Sequence, residues 1–107
     1  MTAQDSDRLK SLLALAERDP AKAFTWYGIA MEYRSLGRIE DAATTFKKLI
    51  GLDPKYVPAY HQLGNMLREA GRGDEAKTWY RDGIAMAEKV GNGHAAGEMQ
   101  EALDGLD

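Results

Sequence analysis

The stretch WYGIAMEYRSLGRIEDAATTFKKLIGLDP, Trp26 to Pro54, decides the fold. Trp26, Ile29, Ala30 and Tyr33 recur at i, i+3, i+4 and i+7, the apolar stripe of an amphipathic helix. Gly37 ends that helix, because glycine takes the left-handed cap conformation without a steric penalty. A second stripe follows in Ile39, Ala42, Ala43, Phe46, Leu49 and Ile50. Asp53-Pro54 closes the unit, since proline cannot continue a helix interior. The stretch is one helix–turn–helix hairpin.

Working outward, the chain agrees with itself at a displacement of 34 residues. Arg34, Gly37, Arg38, Ala42, Thr44 and Ile50 fall on Arg68, Gly71, Arg72, Ala76, Thr78 and Ile84. The replacements between them keep size and character: Trp26 meets Tyr60, Ile29 meets Leu63, Ala30 meets Gly64, Phe46 meets Tyr80. One step earlier, Asp19-Pro20 precedes Asp53-Pro54 by the same interval. Such self-similarity is the mark of a repeat architecture, in which each hairpin buries its apolar face on its neighbours. In the second unit Pro58 suits the first position of a helix. Glu88 stands where the closing proline would be, so the last helix of that unit is expected to run on to about Val90. Gly73 replaces the bulky Ile39 and should weaken the turn packing.

The flanks fit the same scheme. DRLKSLLALAERDP carries Leu9, Leu12, Leu13 and Ala16 as the stripe of a lone second helix. GNGHAAGEMQEALDGL places Ala96, Met99, Leu103 and Leu106 at helical spacing, displaced by two residues from the 34-residue frame. The expected organisation is a single domain over residues 1–107. It comprises a half-repeat helix (5–19), a first full repeat (23–54), a second (57–90) and a C-terminal capping helix (93–106).

These residues carry a family resemblance. An aromatic, a Leu-Gly-like pair and a tyrosine in the first helix, glycine at the turn, alanine and phenylalanine in the second helix and a final Asp-Pro closely resemble the tetratricopeptide repeat. The unit from Val57 to Glu88 resembles it again through Tyr60, Leu63, Gly64, Gly71, Ala76 and Tyr80. The chain is similar to small bacterial-type members with two full repeats and flanking helices. The resemblance implies an all-α fold, a right-handed α-solenoid of antiparallel hairpins with about six helices. It also implies a concave groove, lined by the first helix of each hairpin, in which a peptide or partner helix lies.

On that reading the groove takes the residues off the packing stripe. They are Tyr27, Met31 and Arg34, with Ser35, in the first repeat, and His61, Asn65 and Arg68, with Glu69, in the second. The spacing alone puts His61, Asn65 and Arg68 on one helix face, at i, i+4 and i+7. The capping helix would add Ala95 and Glu98. Tyrosine and methionine supply adaptable apolar contact, and the two arginines supply forked donors suited to a carboxylate. One branch of the family holds chaperone C-terminal carboxylates in a clamp of lysines and asparagines. Here only Asn65 fits that clamp, because Tyr27 and Met31 occupy the places of its first lysine and asparagine. The same three polar residues also read as the solvent side of an amphipathic helix.

Composition narrows the alternatives. Apolar residues make up 44% and charged residues 29%, as in ordinary globular proteins. There is no cysteine, hence neither a disulfide scaffold nor a thiolate metal site. The net charge of −3 falls entirely on residues 55–107, and no basic stripe suits a phosphate backbone, so no nucleic-acid partner is expected. The start, MTAQDSDRLK, does not read as a secretory signal, and no apolar run approaches the ~20 residues of a membrane span. A cytoplasmic protein without a membrane partner is the expectation.

No catalytic constellation emerges. His61 and His94 are the only histidines, and His94 with Glu98 is a weak pair where a metal would need three ligands. Ser6, Ser11 and Ser35 lack a histidine that the hairpins would bring near. The glycines of GNGHAAG follow no strand and make no phosphate loop. Neither cofactor, metal nor catalytic residue is expected, and an enzyme is the remotest reading. Two others stay open: a groove that binds a protein or peptide, and a self-assembling scaffold, homodimeric through the exposed N-terminal or C-terminal end of the stack. Trp26, Tyr33, Phe46, Tyr60 and Tyr80 belong to the packing in either case, with Trp79 off the stripe and half-buried against a neighbouring hairpin.

Overall fold

The computed structural model describes residues 5–106. Among them are six α-helices, α1 (Asp7–Arg18), α2 (Ala23–Ser35), α3 (Ile39–Leu52), α4 (Val57–Glu69), α5 (Gly73–Lys89) and α6 (Gly93–Asp104), and no strand. The fold is an all-α helical repeat. Its contacts gather into two compact units, one ending at Asp53 and one beginning at Pro54.

In the first unit α2 packs against both α1 and α3. Leu9 and Ala16 of α1 and Ile29 of α2 form a buried cluster, with Leu12, Leu13, Trp26, Tyr33 and Leu36 packed around it. Helix α3, which also packs on α2, buries Ala42, Phe46 and Leu49 fully. Helix α1 opens on a side-chain cap: the Ser6 hydroxyl accepts from the Leu9 N–H at 2.9 Å and donates to Glu32 of α2 at 2.8 Å. The serine thus ties α1 to α2 while satisfying one of the helix's unpaired donors.

In the second unit α5 packs between α4 and α6, and α6 also reaches α4. Leu63, Leu67, Tyr80 and Met99 are fully buried at its centre. Close approach is built on two glycines. A Cβ on Gly64 would lie 2.6 Å from the Tyr80 ring, and one on Gly83 would lie 2.6 Å from both Met99 and Tyr60. Helix α4 begins at Val57, so Pro58 is its second residue, one later than the sequence suggests, and still within the turn that tolerates a missing N–H. Leu106 lies over Gly73, 3.7 Å from where a Cβ would stand, and occupies space that the missing side chain leaves.

Three devices recur at the repeat interval and explain its identities. Gly37 and Gly71, 34 residues apart, have φ of 76 and 78° and terminate α2 and α4; Gly91 (φ 79°), outside the 34-residue frame, terminates α5 in the same way. After each, the next residue donates back to the helix: Arg38 to Tyr33 at 2.9 Å, Arg72 to Leu67 at 2.8 Å, Asn92 to Ala87 at 2.7 Å. This double-bonded glycine terminus satisfies carbonyls that a plain helix end leaves unpaired. Next, Arg38 pairs with Asp41 at 2.8 Å and Arg72 with Glu75 at 2.6 Å, each across the first turn of the following helix. Finally, the Trp26 indole N–H donates to the Pro20 carbonyl and the Tyr60 hydroxyl to the Pro54 carbonyl, both at 2.7 Å. The aromatic position needs a ring with a polar tip, which tryptophan and tyrosine both supply.

Candidate functional site

The residues expected to line a groove fall in both units, and the two sets differ in chemistry. In the first unit Tyr27, Met31 and Arg34 of α2 are half-buried and Ser35 is exposed. Tyr27 lies edge-on to Phe46, with ring centroids 6.3 Å apart. Its ring therefore extends the core as much as it faces outward. Burial pushes the Tyr27 phenol up from its ordinary value, and the charge of Arg34 partly opposes the shift. This face is apolar with a single cation beside it.

In the second unit His61, Asn65 and Arg68 of α4 share one open cleft of about 400 Å³ with Glu98, Glu101 and Ala102 of α6. Asn65 is oriented from below. The hydroxyl of Tyr80, a fully buried ring, donates to its Oδ1 at 2.5 Å. With the amide oxygen so engaged, the two N–H donors are left for the cleft. The side chains of His61 and Arg68 make no hydrogen bond or ion pair to the described residues, although Glu98 and Glu101 line the same space. Among the described residues the Glu98 carboxylate pairs with His94 alone, at 3.5 Å and on an exposed surface. A second open cleft, of about 480 Å³, adjoins it along α6, lined by Gly93, His94, Gly97, Glu98 and Glu101.

The capping helix departs from the expected pair. Glu98 lines the cleft, but Ala95 is 91% covered and stands in the core side of α6, its N–H capped by the Asn92 side chain at 3.1 Å. Glu101 and Ala102 take part instead. The signal for Glu101 was present in the two-residue displacement of the Met99–Leu103 stripe. Moved by 36 residues rather than 34, His61 and Asn65 fall on Gly97 and Glu101. Trp79 is half-buried and meets Tyr60 of its own hairpin, with ring centroids 6.4 Å apart. Among the described residues no group of histidine, aspartate and glutamate could hold a metal, and no helix is long and apolar enough to cross a membrane.

Helical hairpins with glycine termini, a polar-tipped aromatic in each first helix and a small residue facing a ring define a helical-repeat protein. The family follows from comparison with known proteins. Residues 30–71 match the TPR repeat model and residues 59–94 the tetratricopeptide repeat model. A tetratricopeptide repeat domain protein from Salinibacter ruber, solved in solution, is 31% identical, with a TM-score of 0.77 over 83% of this chain and 90% of that one. The chain belongs to the tetratricopeptide-repeat family. A Bordetella parapertussis protein shares the fold at 21% identity, with a TM-score of 0.81 over 94% of this chain and 88% of its own. Among curated proteins, the anaphase-promoting complex subunit CDC16 of Saccharomyces cerevisiae is 36% identical over 66 residues, 62% of this chain and 8% of that protein. The chain spans about a tenth of the length of such curated relatives (8 and 13% in two of them).

Proposed function

We propose that this chain is a protein–protein interaction module, binding a peptide or a partner helix on the outward faces of α2 and α4 without a catalytic step. The surface would comprise Tyr27, Met31 and Arg34 on the first unit and His61, Asn65 and Arg68 on the second. The observation that carries the reading is Asn65, whose amide is fixed by the buried Tyr80 hydroxyl so that its donors face an open cleft. Beside it Arg68 stands exposed and unpaired among the described residues. Donors held ready in this way suit a carbonyl or carboxylate of a ligand. Kinship with subunits of a multi-protein complex supports the same reading.

The test is affinity capture from the native cell lysate with the wild type and with Tyr27→Ala/Arg68→Glu. The partners recovered should be lost from the double variant and also from Arg68→Glu alone, which keeps the Tyr27–Phe46 contact and should melt close to the wild type. Unchanged recovery would sink the groove reading. Homodimerisation is the second reading, and one feature of the first unit favours it. Ser6 bonds Glu32, and Leu12 lies against Gly28, a spacing that brings Leu15 level with Phe24. These two are exposed by 50 and 69%. Light scattering over a dilution series should then show a dimer in the wild type and a monomer in Leu15→Asp/Phe24→Asp.

A further inference from the structure

We infer that the cleft of the second unit takes a mixed-charge peptide segment, with the α6 carboxylates Glu98 and Glu101 holding a lysine or arginine of the ligand. The inference rests on the interaction-module reading and assigns that site its ligand chemistry. Glu98 and Glu101 are three residues apart and so share one face of α6. They line the same cleft as Arg68, yet neither forms an ion pair with it. Both residues are exposed, and the Glu101 carboxylate has no hydrogen bond or ion pair among the described residues. The two walls therefore carry opposite charge without pairing across the cleft.

A ligand that bridges the gap satisfies both walls at once. Its acidic side chain lies on the Arg68 fork and the Asn65 amide, whose orientation Tyr80 sets. Its basic side chain lies on Glu98 and Glu101. Charge balance favours the cation on the α6 side, because two carboxylates there face one guanidinium. The surrounding chain agrees, since residues 55–107 carry six basic and nine acidic residues. Such a surface attracts basic segments and repels wholly acidic ones, which gives discrimination as well as attraction.

The experiment is an amide-resonance NMR titration of the whole chain with capped heptapeptides of glycine and serine. One carries an arginine and an aspartate two positions apart, one the arginine alone and one the aspartate alone. The mixed peptide should shift residues 61–68 and 98–102 and bind roughly fivefold more tightly than either other peptide, the size that solvent-facing ion pairs supply. In Glu98→Gln/Glu101→Gln its affinity should fall to that of the aspartate peptide. Both positions are exposed, so the variant should keep the wild-type melting temperature. The proposal is overturned if the glutamine pair leaves the mixed peptide's affinity unchanged, or if no peptide moves those resonances. If Arg68→Glu abolishes binding while the glutamine pair does not alter it, the interaction-module reading stands and the α6 carboxylates have no part.

Discussion

Replacing Gly64 by alanine adds one methyl group where the structure leaves no room for it. The new Cβ would stand 2.6, 2.7 and 3.0 Å from three atoms of the Tyr80 ring. That ring is fully buried and pinned by its hydroxyl to Asn65, so it cannot swing aside without breaking the bond. Overpacking of this kind costs about 1–3 kcal/mol. Alanine recovers up to ~1 kcal/mol through its better helix propensity. With two ring atoms at 2.6 and 2.7 Å the overpacking cost falls in the upper part of its range, about 2–3 kcal/mol. The net loss is then about 1–2 kcal/mol, a fall in melting temperature of roughly 5–10 °C for a chain of this size. Gly97 supplies the control, because it too lies within a helix but has nothing within 4 Å of its added Cβ. The same substitution there should raise the melting temperature by a few degrees, from about 1 kcal/mol of propensity. Thermal unfolding followed by circular dichroism reads both. Adding Tyr80→Leu to Gly64→Ala should recover part of the loss, showing that the two sites are coupled. A Gly64→Ala protein that melts at or above the wild-type temperature would refute the close approach, and strictly additive effects would place the cost elsewhere.

Other substitutions probe the remaining devices. Ala76→Asp places a carboxylate at a fully buried position and should abolish cooperative unfolding. Tyr60→Phe removes the donor to the Pro54 carbonyl and should cost about 1 kcal/mol in denaturant unfolding, with no change in helix content. Tyr27 holds its proton more tightly in the folded state than the unfolded value of 10.0. Its contribution is therefore fully present below pH 10.0 and is lost as the pH rises through the folded value. Unfolding free energy measured across that alkaline range should fall less steeply in Tyr27→Phe than in the wild type; equal slopes would mean that the phenol's burial has no effect on stability.

Much of the architecture is legible because each element rests on a local rule. The stripes of Trp26–Tyr33 and Ile39–Ile50 have the helical period, and Gly37 and Gly71 mark the only backbone that can turn left-handed at those ends. The site is less legible, for two physical reasons. Which face of α6 meets α4 depends on where that helix sits in the stack, and a two-residue displacement turns a helix by about 200° at 100° per residue. Ala95, carried over from His61 at 34 residues, therefore lies in the core while Glu101 lines the cleft. Tyr27 illustrates the second reason. Periodicity places it off the packing stripe, but a large ring can reach sideways to Phe46, and no spacing rule states how far it reaches.

The two repeats show how a conserved frame yields unlike surfaces. In the first, Ala30 stands at the position of Gly64, Phe46 at that of Tyr80 and Met31 at that of Asn65. A phenyl ring needs no partner, so the residue at position 31 is free to be apolar, and Tyr27 packs edge-on to the ring. A buried phenol does need an acceptor, because an unpaired hydroxyl in the core carries a desolvation cost of about 1–3 kcal/mol. Asn65 supplies it, and no buried side-chain polar atom among the described residues lacks a partner. The hydroxyl that the core must satisfy is thus the one that turns the Asn65 donors toward the cleft. Internal packing and the polarity of the outer face are set by one exchange, so the polar wall of the second unit is a consequence of its core.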